Sequence, residues 1–209
     1  MYLPHQFEES DPNTIRAVIR AAPFATLVTV DSSGEPFINH LPILDDDRNT
    51  DTLKLFGHMA RANPQWRSLQ SGARAVAIFH GPHSYITPTW YTESFVPTWS
   101  YAVVHARGAM RVIEEFESLD EILSRSVQRF EASQPQPFAY ALPLDLRREK
   151  LRSIVGFEMK VEHVEAKFKI SQNRSVADRE GAMRGLATRS DEGSAGVLAL
   201  MTRKYSAPT

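Results

Sequence analysis

The sequence predicts a mainly β protein with α additions, built as an antiparallel barrel or sheet. Three observations point there. Six apolar or alternating runs follow one another between Phe24 and Arg107, separated by turn residues. Their connections are too short for the crossovers that a parallel sheet needs. The strongest helical periodicity comes only after Glu117, and one further alternating run follows it.

Each element has a local reason. Asp11-Pro12 starts a helix, with an acceptor at the cap and Pro at the first helical position. Ile15, Val18 and Ile19 form its apolar face, and Pro23 ends it. Phe24–Val30 and Phe37–Leu44 form a hairpin across the turn Asp31-Ser32-Ser33-Gly34, and an acidic loop over 45–51 follows. Thr52–Gly57 is the third strand, ending in a loop and a short helix over the segment MARANPQWRSL. Ala73–His80, Ser84–Tyr91 and Thr98–Arg107 are three more strands, the last continuing past a bulge at Gly108. Ser118 to Glu121 reads as a capping box that opens a helix through Phe130. A Pro-rich connection over 134–143 leads to a second helix, Leu144–Ser153. Alternation returns over Gly156–Phe168, and Ser175 caps a further short helix. The domain is therefore expected over 1–190, with its helical additions about 118–153. The Ser/Gly/Ala-rich segment 191–209 reads as a flexible tail.

Composition narrows the function. The 209 residues carry 24 Lys+Arg against 25 Asp+Glu, a net charge of -1. A balance this neutral argues against bulk electrostatic binding of nucleic acid, though a local basic patch stays open. There is no Cys, which removes disulfide scaffolds, thiolate zinc sites, cysteine catalysis and iron–sulfur clusters. No signal peptide or membrane-length apolar run is present, so a cytoplasmic protein of bacterial type, with no membrane partner, is expected. GxSxG, P-loop, GxGxxG and HExxH patterns are all missing, and no metal site is expected.

Four segments concentrate candidate chemistry. Gly57-His58-Met59-Ala60-Arg61-Ala62-Asn63-Pro64-Gln65-Trp66 offers small residues, an arginine and a helix start, which together suit a phosphate. The plainer alternative is a solvated turn with Arg61 paired to an acid. Lys167 to Arg174 carries Ser171, Gln172 and Asn173 in a row, which suits a polar ring edge or phosphate, or else a capping turn. Tyr85, Trp90, Tyr91, Phe95, Trp99 and Tyr101 supply an aromatic wall, a dimer interface or simple core packing. Arg147, Arg148, Lys150 and Arg152 form a basic stretch, but the segment before it is too long and Pro-rich for a helix-turn-helix.

The chain resembles the PaiB family of FMN-binding proteins, also labelled negative transcriptional regulators. The carriers are MYLPHQF, PFATLVTVDSSGEPFINHLPIL, GHMARANPQW, IFHGPHSYITPTWY, VPTWSYAVVHARG and GFEMKVEHVEAKFKISQNR followed by Asp178-Arg179, in the family's order over roughly residues 1–187. Ile170 stands where Leu is usual, and Ser100 where Asn is usual. The resemblance implies an FMN-binding split β-barrel that forms a homodimer with the flavin at the subunit interface. It implies that His58, Met59, Arg61, Ala62 and Asn63 hold the flavin phosphate. Asn39, His40 and Leu41 would line the isoalloxazine, Ser171, Gln172 and Asn173 would close on it, and Trp99 and Tyr101 would reach across the dimer. The implied role is a flavin-dependent repressor, with DNA as its partner. An FMN-dependent oxidoreductase and a haem-binding relative are the alternatives.

Overall fold

The computed structural model describes residues 1–31, 33–48, 52–69, 72–92 and 96–205. Ser32 of the expected hairpin turn, the end of the acidic loop and Phe95 of the aromatic segment lie outside them. In chain order the elements are α1 (Pro12–Ala21), β1 (Phe24–Val30), β2 (Pro36–Asp45), β3 (Lys54–Ala60), α2 (Gln65–Leu69), β4 (Arg74–Ile86), β5 (Thr98–Ile113), α3 (Phe116–Glu131), α4 (Leu144–Leu151), β6 (Ile154–Lys169), α5 (Val176–Ala187) and α6 (Glu192–Tyr205). The strands form a closed barrel in the order β1-β2-β3-β6-β5-β4. β1 pairs antiparallel with β2 and β4, and β3 pairs antiparallel with β2 and β6. The expected fold class holds.

The chain divides into two compact units, Pro23–Phe79 with Ala106–Val164, and Met1–Ala22 with His80–His105 and Glu165–Thr209. In the first unit, β1 and β2 pair from Phe24↔Pro42 to Val30↔Pro36. β3 pairs with β6 from Lys54↔Lys160 to Ala60↔Ile154. Leu44, Phe56, Ile113, Leu119, Ile122 and Leu151 form a buried cluster that seats α3 and α4. Burial of each large aliphatic side chain there contributes roughly 1.5–3 kcal/mol. α3 starts at Phe116, ahead of the expected capping box, and Glu115 makes no side-chain cap bond. Phe116 packs on the cluster, and that packing outweighs the cap that Ser118 would have supplied. Asp120 takes Arg147 and the Tyr140 hydroxyl, which ties the Pro-rich connection to α3.

In the second unit, α1 begins as expected, with Asp11 accepting from the Thr14 amide at 2.9 Å. The two strands expected over 73–91 are one strand, β4, running through Gly81-Pro82. Gly81 permits this because a Cβ there would lie 2.9 Å from the Ala102 carbonyl oxygen. β5 likewise runs unbroken to Ile113. The C-terminal segment is not the expected flexible tail over its described part. α6 buries Val197 and Met201 completely, in a cluster with Ile86, Ile170, Ala182 and Leu186. Its small residues mark close approach rather than mobility: a Cβ on Gly196 would stand 2.5 Å from the Pro82 Cβ.

α5 packs just as closely on the 3₁₀ turn Pro88–Trp90. Cβ atoms on Gly181 and Gly185 would fall 2.0 Å from the Trp90 carbonyl oxygen and 2.1 Å from its indole Cδ2. Gly181→Ala is therefore expected to destabilise the protein by about 1–3 kcal/mol, although alanine is the better helix former. Urea unfolding followed at the tryptophans measures it.

Candidate functional site

The hairpin β1–β2 offers one face to the barrel interior and one outward. Ala25, Leu27 and Thr29 are buried, while Phe24, Thr26, Val28 and Val30 alternate with them on the outer face. Register places Pro42, His40, Ile38 and Pro36 opposite these four. Ile78 and Val76 of β4 stand opposite Thr26 and Val28. The result is an apolar outer face on which Phe24 is 67%, Val30 56% and Ile38 54% exposed. Its polar centre is a single pair, Thr26 Oγ1 and His40 Nδ1, 3.1 Å apart. Asn39 and Leu41 alternate with His40 and are half-buried.

Asn39 is held by a residue that the sequence reading did not single out. Its Nδ2 donates to Gln65 Oε1 at 2.9 Å. Gln65 is buried, and its own amide nitrogen reaches Thr29 Oγ1 at 3.1 Å, the Phe37 carbonyl at 3.1 Å and the Leu27 carbonyl at 3.4 Å. Gln65 thus ties α2 to both strands of the hairpin. The signal was present in the sequence: Gln65 and Leu69 are four residues apart, so a helix that buries Leu69 buries Gln65 beside it. Asn63 Oδ1 accepts from the Gln65 amide at 3.0 Å and fixes the start of this helical turn.

The phosphate candidates are placed differently from one another. His58 and Met59 belong to β3, which runs three residues further than the sequence suggested. Met59 is 2% exposed and is a core side chain. His58 is mostly buried, and burial lowers its pKa below the usual histidine value. Ala62 is exposed. Each of the three Arg61 guanidinium nitrogens has a partner. Nε donates to the Arg152 carbonyl at 3.0 Å, one terminal nitrogen to Glu114 at 2.6 Å and the other to the Ile154 carbonyl at 3.1 Å. Its carbonyl accepts from the Trp66 indole at 2.9 Å. The acid-paired alternative for Arg61 is the one observed.

In the second unit, Trp99 is 54% exposed and meets Tyr85 edge-on at 6.1 Å and His83 at 6.2 Å. Trp99, Tyr101, His80 and His83 line a cavity of about 400 Å³. Ser171 is buried in a turn at φ 68°, an uncommon conformation for a residue with a side chain. Gln172 closes that turn on its own strand, accepting from the Ile170 amide at 2.8 Å and donating to the Phe168 carbonyl. Asn173 is exposed. Among the described residues, no helix is long and apolar enough to cross a membrane.

This barrel and its flanking helices define a split β-barrel. The chain matches the family model described as "Putative FMN-binding domain" over residues 1–163. It belongs to that family, whose cofactor is FMN. It is 35% identical over 179 residues to the protease synthase and sporulation protein PAI 2 of Bacillus subtilis, covering 85% of each chain. Two solved structures share the fold. The FAD and heme binding protein from Mycobacterium smegmatis gives a TM-score of 0.61 at 16% identity, over 78% of this chain and 73% of that one. The flavocytochrome Anf3 from Azotobacter vinelandii gives 0.60 at 12% identity, over 78% and 70%.

Two measurements check the geometry. Gln65→Leu leaves the Asn39 donor and buried backbone carbonyls without their partner, and is expected to cost about 2–3 kcal/mol in urea unfolding. His58 is harder to protonate folded than unfolded. Its contribution is complete above the unfolded value of about 6.5 and is lost as pH falls through that value toward its lower folded pKa. His58→Gln is expected to flatten that part of the stability–pH curve, and an unchanged slope would contradict the assignment.

Proposed function

We propose that this protein works as a homodimer that binds FMN and acts as a flavin-dependent regulator of gene expression. The similarity to the PAI 2 protein carries the regulatory reading. The sequence-specific target would be DNA, with the flavin serving as the sensed ligand.

The dimer reading is supported by the outer face of β1 and β2. Phe24, Val30 and Ile38 are largely exposed, and the face holds no charged side chain between Pro36 and Pro42. A face of this kind on a sheet is the sort that partner subunits cover. A twofold arrangement would let it serve as its own complement. Trp99 and Tyr101 remain candidates for contacts to the partner subunit.

The donor set was weighed against FMN, a planar amphipathic ring with a phosphate tail. The outer face, with the Thr26–His40 pair, suits the ring: apolar area with fixed polar atoms at its centre. Asn39 and Leu41 alternate to the inner face, so in this reading they support the outer face from behind and offer the ring only their backbone. Arg61 suits the tail less well, because each of its three guanidinium nitrogens already donates, one to Glu114 and two to carbonyls. Its role in this reading is to hold the β3–α2 loop, so that Ala62 and Asn63 present backbone and amide groups. FMN would supply any redox chemistry, which no thiol in this chain can.

The basic stretch on α4 gives DNA limited support. Arg147 serves Asp120, Lys150 lies 2.9 Å from Glu149, and Arg148 stacks at 5.6 Å on Phe116.

Sedimentation, flavin titration and gel shift test the reading together. The wild type is expected to sediment as a dimer and to take up one FMN per chain. Ile38→Glu is expected to give a folded monomer with at least tenfold weaker FMN binding. DNA retardation is expected to fall steeply with salt. A colourless protein that takes up no FMN, or an Ile38→Glu variant that remains dimeric, overturns the assembly reading. Steady NAD(P)H oxidation by the loaded protein without DNA retardation replaces the regulator with an FMN-dependent oxidoreductase.

A further inference from the structure

A groove runs through the second unit, that of Met1–Ala22, His80–His105 and Glu165–Thr209. Gly81, Pro82 and His83 of β4 line it together with residues of α1 and α6. Close approach seats both helices on that stretch of strand. A Cβ on Gly81 would stand 3.1 Å from a Val18 methyl of α1. On α6, a Cβ on Gly193 would stand 2.4 Å from the His83 carbonyl oxygen, and one on Gly196 would meet the Pro82 ring. The space left is a cavity of about 520 Å³. Small-molecule sites occupy about 300–1,000 Å³ and are mostly apolar, with a few polar groups that orient the ligand.

The lining has that composition. Thr14, Ala17, Val18 and Ala21 recur at three- and four-residue steps, so they share one face of α1. Glu192, Gly196, Leu200 and Arg203 share one face of α6 in the same way. Small side chains leave the room, while Val18, Pro82 and Leu200 make the middle apolar. Glu192 is the one acid among the lining residues, and Arg203 the one Lys or Arg. They stand at opposite ends of α6, which rises about 16 Å between them.

The two ends differ in chemistry. Arg203 acts at the Thr14 end. The Thr14 hydroxyl and amide do most to hold the Asp11 carboxyl below the usual carboxylate range, and the Arg203 charge adds to them. At the other end, the contact of Gly193 with the His83 backbone sets Glu192 near His83. His83 Nδ1 lies 3.3 Å from the Gly81 carbonyl oxygen. A carbonyl only accepts, so Nδ1 carries the proton, and Nε2 of the neutral ring is an acceptor. An acid in the first turn of α6 suits the helix dipole, but the dipole does not account for the apolar cavity beside it. A carboxylate and an imidazole acceptor at one end of an apolar groove match an apolar body that ends in a donor. A protonated amine makes the stronger, charge-assisted bond there.

We propose that the groove between α1 and α6 binds a small organic amine. Its apolar body lies among Ala17, Val18 and Leu200, and its ammonium meets Glu192 and His83. The site lies wholly within one unit and uses none of the residues assigned to FMN, so it does not rest on the flavin reading.

The test titrates the full-length chain with phenethylamine, phenethyl alcohol and hydrocinnamate, which share a body and differ in the head. Methyl NMR signals of Ala17, Val18 and Leu200 report on the groove. A saturable shift is expected with the amine, about tenfold tighter than with the alcohol or the carboxylate. Glu192→Gln is expected to weaken the amine about tenfold and to leave the alcohol unchanged. Ala17→Leu fills the groove and is expected to abolish the shifts of Val18 and Leu200 without lowering the thermal midpoint. Ala21→Leu takes its place if that midpoint falls. Three results overturn the proposal: no saturable shift with the amine, equal affinity for amine and carboxylate, or amine binding indifferent to Glu192→Gln. Flavin uptake is measured separately on the same sample, and its failure bears on the cofactor reading alone.

Discussion

The barrel depends on one long-range pairing, that of β3 with β6. Seven residue pairs, from Lys54↔Lys160 to Ala60↔Ile154, join segments about a hundred residues apart. The Arg61 amide extends the ladder to the Ser153 carbonyl at 2.8 Å, and the Arg61 guanidinium clamps the same edge through the Arg152 and Ile154 carbonyls. Such a contact must overcome loop-closure entropy, and it does so with area and hydrogen bonds together. Gly57 is needed at its middle. A Cβ there would lie 2.8 Å from the Phe157 ring and 2.8 Å from the Pro42 carbonyl oxygen. Once β6 sits beside β3, β5 completes the order, and α3 and α4 become the connection that bridges the two long strands.

This explains which parts of the fold the sequence displays. Elements set by local chemistry are legible. β1 matches residue for residue, because Phe24–Val30 is β-branched and is bounded by Pro23 and the turn at Asp31. α1 follows from Asp11-Pro12, and α5 from the Ser175 cap, whose hydroxyl accepts from the Asp178 amide at 3.2 Å. Features decided by distant neighbours are not legible. Gly81-Pro82 carries ordinary turn residues, yet the approach of Ala102 keeps the strand running. Ser118 and Glu121 satisfy the capping pattern, but burial of Phe116 starts the helix earlier. The residues of α6 look mobile in sequence because small side chains suit both a loose tail and tight packing.

The candidate site divides along the same line. Family motifs locate Asn39, His40 and the loop after β3. They do not reveal that Met59 is core, or that Arg61 balances Glu114. Gln65 stands in the polar segment after β3, and its spacing from Leu69 signals burial, but its four side-chain partners come from β1 and β2 and are set only by the folded register. The outer face needed the β1–β2 register as well. Phe24, Val30 and Ile38 read as ordinary strand residues until pairing places them together.

Net charge near zero carries more information once charges are located. Several of the charges behind the total of -1 are paired locally: Arg61 with Glu114, Arg111 with Glu158, Arg125 with Asp46, Arg147 with Asp120. Exposed pairs of this kind add little stability, but they cancel the field that would draw a polyanion. A DNA-binding surface on this chain therefore has to come from cations that are not so matched, or from the combined surface of two subunits.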